Sequence, residues 1–470
     1  IKSVEASYML TDQLGYIKMN RFAESTFKEF KTALNDLQDQ GATKLALDLR
    51  DNPGGFLGIA EQIADEFLEN DKLILFTKNK SKLFNRNKYM IPLSVPNIGG
   101  NEWQYVKDCL DTGWISSAGA YVTKFEEAIQ NYTGVKYAIA CMNGTAGLQV
   151  SLNLAGVSSD DIVIAPNLTF VATLNAISYS GAEITLIDVC EDSWQMDIDL
   201  LQNWLENNTI TKFINNKPLT TEITSGKKIG AIIPVYVLGG FIDIDKLVEI
   251  SATYGIPLIE DSTEALGSFK NGKHAGTFGL TGVLSFNGNK IISTGGGGMI
   301  LTNDKEIANR AKHITTTAKT DPLDYFHDEI GYNYRLVNVL AAIGVAQMEN
   351  FESILKRKKE IDALYRQELN GVGDIIFQEN YPDSDPNCWL FTFRTKKMRE
   401  LLNHLNDNEI QSRPFWTPMN NLPMYKDLMY INENDISNKI FKECISIPSS
   451  SNLTIEDQHK VVSEIKNFYK

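Results

Sequence analysis

The chain is poor in the features that mark several protein classes. Its five cysteines (Cys109, Cys141, Cys190, Cys388 and Cys444) form no CxxC pair, which excludes a disulfide framework or cysteine-rich zinc site and fits the reduced thiols of a cytoplasm. Its five histidines show no HExxH-like spacing, so no metal is expected. Basic residues are outnumbered, 45 against 59 acidic ones. The net charge of −14, with no local basic stripe, argues against nucleic acid as a partner. No apolar run approaches the roughly 20 residues of a membrane-spanning helix, so no membrane partner is expected either. Glycine and proline are unremarkable at 33 and 14, which sets aside low complexity and disorder. At 470 residues, two or three domains are expected. The first residue is Ile1 rather than Met, so the true start is open.

Against that plain background, LSFNGNKIISTGGGGM (284–299) stands out. A strand-like run delivers one lysine, Lys290, into a turn, and four glycines follow at 295–298. A desolvated lysine amine suits imine chemistry with an aldehyde cofactor. Consecutive glycines allow backbone to approach closely and to adopt positive φ. A surface hairpin with a solvated lysine is the bland alternative, and a short motif alone does not exclude it.

The first 85 residues read as β-α-β-α-β. GYIKMNRF (15–22), KLALDL (44–49) and KLILFT (72–77) are expected strands, with helices carrying Phe27, Phe30, Leu34 and Leu37, then Ile59, Ile63, Ala64 and Phe67. DLRDNPGG (48–55) forms the turn between the second strand and second helix. This order resembles the catalytic core of the C-terminal processing peptidases. In that family the serine and its lysine base follow the third strand, whereas here the polar stretch TKNKSKLFNRNK (77–88) follows. Residues 1–85 are therefore expected to be a truncated, inactive peptidase fragment, with a linker to about 89. Met90 precedes a new pattern and could once have been an initiator.

From Met90 the pattern is α/β. YAIACM, DIVIAP, AEITLIDV, IGAIIPVYV and IPLIED are largely apolar, as strands buried on both faces must be, and amphipathic helices alternate with them. Ligands in such sheets bind at the carboxyl ends of strands. Three strand ends carry chemistry. NGTAGL (143–148) opens a helix with Gly144 and Thr145, an anion site or a plain N-cap. IPLIEDSTEA ends in Glu260–Asp261, where a buried carboxyl calls for a cation such as a protonated pyridine, or serves as an N-cap. Lys290 is the third. Their conjunction is the equipment of a pyridoxal phosphate (PLP) enzyme.

Residues 90–470 resemble the DegT/StrS-type sugar aminotransferases. The resemblance is carried by GWISSAGAYVTKFE (113–126), NGTAGL, TFVAT (169–173), EDSTEALGS (260–268), GTFG (276–279), LSFNGNKIISTGGGGM and GYNYRLVNVLAAIG (331–344). It implies the PLP-dependent transferase fold of the aspartate aminotransferase type. A large, mostly parallel sheet domain (90–344) would be followed by a small C-terminal α/β domain (345–470). It implies that Lys290 carries the cofactor and moves the proton, that Asp261 holds the pyridine nitrogen, and that Phe170 stacks on the ring with Glu264 near its polar edge. Gly144, Thr145 and Ser285 would bind the phosphate, with Asn333 supplied by the neighbouring subunit of a homodimer. HITTTAKTDP (313–322), HDEIGYNYRL (327–336) and SRPFWTPMNNLPMY (412–425) are most similar to enzymes of the bacillosamine and legionaminic acid pathways. These imply amination at C4 of a UDP-linked 4-keto-6-deoxy-N-acetylhexosamine, with L-glutamate as donor. Tyr236 and Asn420 stand where many relatives carry histidine, in stretches associated with the sugar-binding face. Trp114, Tyr236, His327, Trp416 and Asn420 are the expected substrate contacts. The alternatives are an impaired fusion acting as a binding or scaffold protein, or the same chemistry on a GDP- or dTDP-linked sugar.

GSFKNGKH (267–274) nearly matches a P-loop, but His274 occupies the position where Ser or Thr must bind magnesium. Asn271–Gly272 is better read as a hairpin turn. QMENFESILKRKKEIDALYRQEL (347–369) is expected as one long helix, CWLFTFRT (388–395) as a strand, and the final segment as a closing helix.

Overall fold

The computed structural model describes residues 2–23, 25–49, 52, 59, 62–63, 90–321 and 323–470, divided into two compact units, Ile1–Tyr89 and Met90–Lys470. In the first unit, β1 (Val4–Thr11) and β2 (Leu14–Met19) form an antiparallel hairpin. Helix α1 (Thr26–Asp39) then returns the chain so that β3 (Lys44–Asp48) lies parallel to β2. Phe30, Ala33, Leu34 and Leu37 recur at helical spacing and bury against Ile17 and Met19. Strand β1 was not expected. Most of its residues are partly or fully exposed, so it shows little hydrophobic alternation. The expected strand KLILFT, most of DLRDNPGG, Phe67 and the linker stretch lie outside the described residues.

The second unit is built on β4 (Tyr137–Cys141), β5 (Asp161–Pro166), β6 (Glu183–Ile187), β7 (Lys228–Ile232), β8 (Ile259–Asp261), β9 (Thr281–Ser285), β10 (Gly298–Thr302) and β11 (Met429–Ile431). The ladders run β11-β6-β5-β7, continued from β7 by the antiparallel hairpin strands Lys217–Glu222 and Thr209–Ile214, and β8-β9-β10-β4. Parallel bridges Ile232–Leu258 and Val235–Asp261 join them into one sheet. Among β4–β11, β10 runs antiparallel to the others. The apolar runs follow from burial on both faces. On β5, Ile162 and Ile164 enter one core, while Val163 and Ala165 enter the other. Helices α2 (Ala120–Thr133), α3 (Gly144–Leu154), α4 (Ala172–Ser180) and α5 (Ile244–Tyr254) pack on this sheet.

The expected long helix is interrupted. Helix α6 (Asn338–Glu349) ends at Asn350 and α7 (Phe351–Leu369) begins directly after it. The boundary expected between residues 344 and 345 therefore falls inside α6. The change of core falls instead within α7. Its Phe351, Ile354 and Leu355 pack with Phe125 and Phe286, whereas Ile361, Tyr365 and Leu369 pack with α8 (Ile455–Tyr469) through Val461, Val462 and Ile465. The second core covers a small antiparallel sheet of Ile376–Phe377, Thr392–Arg394, Cys444–Ser446 and Arg413–Pro414. The strand read across CWLFTFRT is confined to Thr392–Arg394, which leaves Trp389 outside the ladder. Asn271 (φ 50°) and Gly272 (φ 75°) make the hairpin turn, and His274 is fully buried, accepting from Gly267 N at 2.9 Å.

Gly344 of α6 fits where α2 crosses it. A Cβ there would lie 2.7 Å from the Phe125 ring. Gly344→Ala is expected to destabilise the second unit by about 1–3 kcal/mol through overpacking, despite the better helix propensity of alanine. Urea denaturation of wild type and variant checks this.

Candidate active site

Strand β8 ends in two adjacent carboxyls that point to opposite faces. Glu260 is fully buried and structural. It accepts from Gly276 N at 2.8 Å, from Phe278 N and Gly279 N at 2.7 Å each, and from the Tyr236 hydroxyl. The expectation that Tyr236 contacts substrate is therefore corrected. Its ring is wholly buried and its hydroxyl is committed to Glu260.

Asp261 faces the other way, into a cavity of about 330 Å³. It accepts from the Thr173 and Thr263 hydroxyls, both at 2.7 Å, and from Thr263 N at 3.2 Å. Among the described residues no cationic side chain pairs with it, although it is only 3% exposed. A buried carboxyl held by two hydroxyls and one backbone amide suits a cationic group on a ligand.

Lys290 enters the same cavity from the turn after β9. Its Nζ lies 3.4 Å from Glu264 Oε1 and 4.2 Å from the centroid of the Trp389 ring. The other Glu264 oxygen accepts from Leu238 N at 2.9 Å. Burial pushes the Glu264 carboxyl up to about 7, against the pull of Lys290.

The third wall is the start of α3. Asn143 caps it, accepting from Ala146 N at 2.8 Å, and the amides of Gly144 and Thr145 occupy the first turn, where helices lack internal acceptors. A Cβ at Gly144 would lie 2.9 Å from Thr263 and 3.1 Å from Ser285 Cβ. Part of the glycine run is explained here. Gly298 opens β10 against this loop, where a Cβ would sit 2.6 Å from the Asn143 carbonyl carbon. Gly295 (φ 79°) turns the chain, and Gly296 and Gly297 line the cavity.

Of the residues singled out in the sequence, Gly144, Thr145, Phe170, Asp261, Glu264, Ser285, Lys290 and Trp416 line this one cavity. Phe170 and Trp416 meet edge to face, 6.2 Å apart. The others do not reach it within this chain. Trp114 is 57% exposed. The Asn420 side chain accepts from Asn167 Nδ2 at 3.0 Å. His327 is exposed on a hairpin with its Nδ1 against Thr317 O, and Asn333 is also exposed. Thr173, Thr263 and Trp389 were missed. The two threonines sit in motifs quoted for other residues, and Trp389 lies about 100 positions from the lysine it touches. His313, Asp328 and Glu329 bring possible metal-ligand atoms within 4.8 Å of one another, but Arg310 already pairs with Glu329.

The profile described as the DegT/DnrJ/EryC1/StrS aminotransferase family matches residues 96–466. That of Peptidase family S41 matches residues 13–141, overlapping the other from residue 96, where the chain is already part of the second unit. A GDP-perosamine synthase of Escherichia coli O157:H7 is 35% identical over 81% of this chain and 98% of its own length. One from Vibrio cholerae is 34% identical over 81% and 99%. The crystal structure of a DegT DnrJ EryC1 StrS aminotransferase from Brucella abortus superposes with a TM-score of 0.72 at 25% identity, covering 78% of this chain and 95% of that one.

The raised Glu264 pKa has a signed consequence. Between its ordinary 4.5 and about 7 the folded state holds a proton that the unfolded state releases. Its contribution to stability is therefore full below about 4.5 and lost as pH rises through 7. In the cofactor-free chain, Glu264→Gln is expected to remove this loss, worth up to about 3 kcal/mol. Urea midpoints at pH 5 and pH 7.5 for both proteins measure it.

Proposed function

The chain belongs to the DegT/DnrJ/EryC1/StrS aminotransferase family, and from that premise we propose that it transfers an amino group from L-glutamate to C4 of a nucleotide-linked 4-keto-6-deoxyhexose. The observation that carries the reading is that Lys290, Asp261 and the start of α3 line a single cavity. The residues fit PLP: a buried carboxyl that no cationic side chain pairs with among the described residues, helix-start amides beside Ser285, and one lysine amine between them. When bound, PLP supplies the electron sink that makes a carbon–hydrogen bond acidic. Asp261 would hold its ring nitrogen, with Gly144, Thr145 and Ser285 on its phosphate and Phe170 at the ring face. Lys290 would hold it covalently at Nζ and, once released, move the proton at the reacting carbon. Glu264, 3.4 Å away, would orient that amine. Trp416 would bound the sugar side of the cavity.

The relatives named for a GDP-linked product favour a GDP-sugar. UDP-4-keto-6-deoxy-N-acetylglucosamine is the second reading, supported by the stretches 313–322, 327–336 and 412–425. A homodimer that shares its sites, with Asn333 serving the neighbour, fits the exposed apolar surface beside it. Leu323 is 88% exposed and Ile330 90%.

The purified chain should be yellow with PLP, and borohydride should fix the cofactor on Lys290, read by peptide mass. A colourless protein that takes up no PLP would instead leave a binding or scaffold role. Lys290→Ala should lower amino transfer by at least about 10²–10⁴-fold, measured as 2-oxoglutarate formed from glutamate. Turnover compared on GDP-, UDP- and dTDP-linked 4-keto sugars decides the nucleotide.

A further inference from the structure

Lys290 has two neighbours that attract a cation. Glu264 belongs to the site already described. The other is the face of Trp389, which is 2% exposed and comes from the segment leading into the second core. An indole face within about 6 Å of an ammonium is attractive through the ring quadrupole.

Trp389 is fixed at three polar points. Its backbone N–H donates to Asn387 Oδ1 at 3.0 Å. Its Nε1–H donates to the carbonyl of Asn289, the residue before Lys290, at 2.7 Å. Its own carbonyl accepts from Lys358 Nζ. Asn387 also donates to the carbonyls of Glu264 (2.7 Å) and Leu266 (2.9 Å), so the segment is tied to both sides of the lysine. Lys358 is unusual in its own right. It is buried in α7, and both its acceptors are backbone carbonyls, of Trp389 and of Ser449 (2.5 Å). Among the described residues no carboxylate pairs with it, and burial pulls it down to about 7. A buried amine held this way is costly, and what it fixes is the peptide that carries the indole.

We propose that Trp389 is a positioning residue for Lys290: its ring face holds the ammonium beside Glu264, its Nε1–H pins the turn that presents the lysine, and Lys358 sets the indole in place. The proposal rests on Lys290 being the reacting lysine. It adds a contact from the small-sheet side of the unit that none of the sequence motifs indicated.

The test compares Trp389→Phe, which keeps an aromatic face, with Trp389→Leu, which keeps apolar bulk alone. In the full chain freed of cofactor, labelling of Lys290 by an amine reagent is followed by peptide mass. Trp389→Leu should label about tenfold faster than wild type, and Trp389→Phe within about threefold of it, with similar melting midpoints. Lys358→Met should also speed labelling of Lys290. Equal rates for the Phe and Leu variants, or no acceleration in Leu, would overturn the proposal. PLP uptake by the wild type is measured alongside. Its absence would defeat the functional reading, while the labelling comparison still reports on Trp389.

Discussion

The structure depends on what is done with two carboxyls placed side by side at the end of one buried strand. Removing them from water is costly unless each finds donors, and the strand sends them in opposite directions. Glu260 is satisfied entirely by protein, through three backbone amides and one phenol. Those amides belong to the loop at 276–279, so this carboxyl fixes the loop that precedes β9, the strand that leads to Lys290. Among the described residues Asp261 is given two hydroxyls and one amide. The same desolvation thus builds scaffold on one face and leaves binding capacity on the other.

Much of this was legible in the sequence because it is local. Strand ends, a helix-opening glycine and a lysine in a turn each carry their signal within about ten residues, and the sheet follows from apolar runs long enough to be buried on both faces. Orientation was less legible. Tyr236 lies two positions after Pro234 on the approach to the site, but its side chain faces Glu260, and a shift of one residue in a strand exchanges faces. The antiparallel direction of β10 has no local mark, since its residues are as apolar as those of a parallel strand. Trp389 falls in the apolar run CWLFTFRT, expected as a strand, but the ladder begins only at Thr392. Its contact with Lys290 exists only once the second core is assembled.

The glycine run shows a third kind of information. Gly298 is required not by a turn but by proximity: β10 begins against the backbone that opens α3. The strand that follows the lysine turn and the start of α3 are therefore packed main chain to main chain. A side chain at Gly298 would alter their spacing directly, while one at Gly144 would meet Thr263 and Ser285 instead, so each glycine keeps a different approach open.

The helix that begins at Phe351 has a mechanical consequence. Its 19 residues form an unbroken rod of about 28 Å whose first turns are embedded in one core and whose last turns in another. Swinging one core against the other would require bending that rod or extracting an end, so a hinge at this point is disfavoured. Entry to and exit from the cavity then fall to side chains and loops at its mouth, such as the half-exposed Phe170, rather than to closure of a cleft.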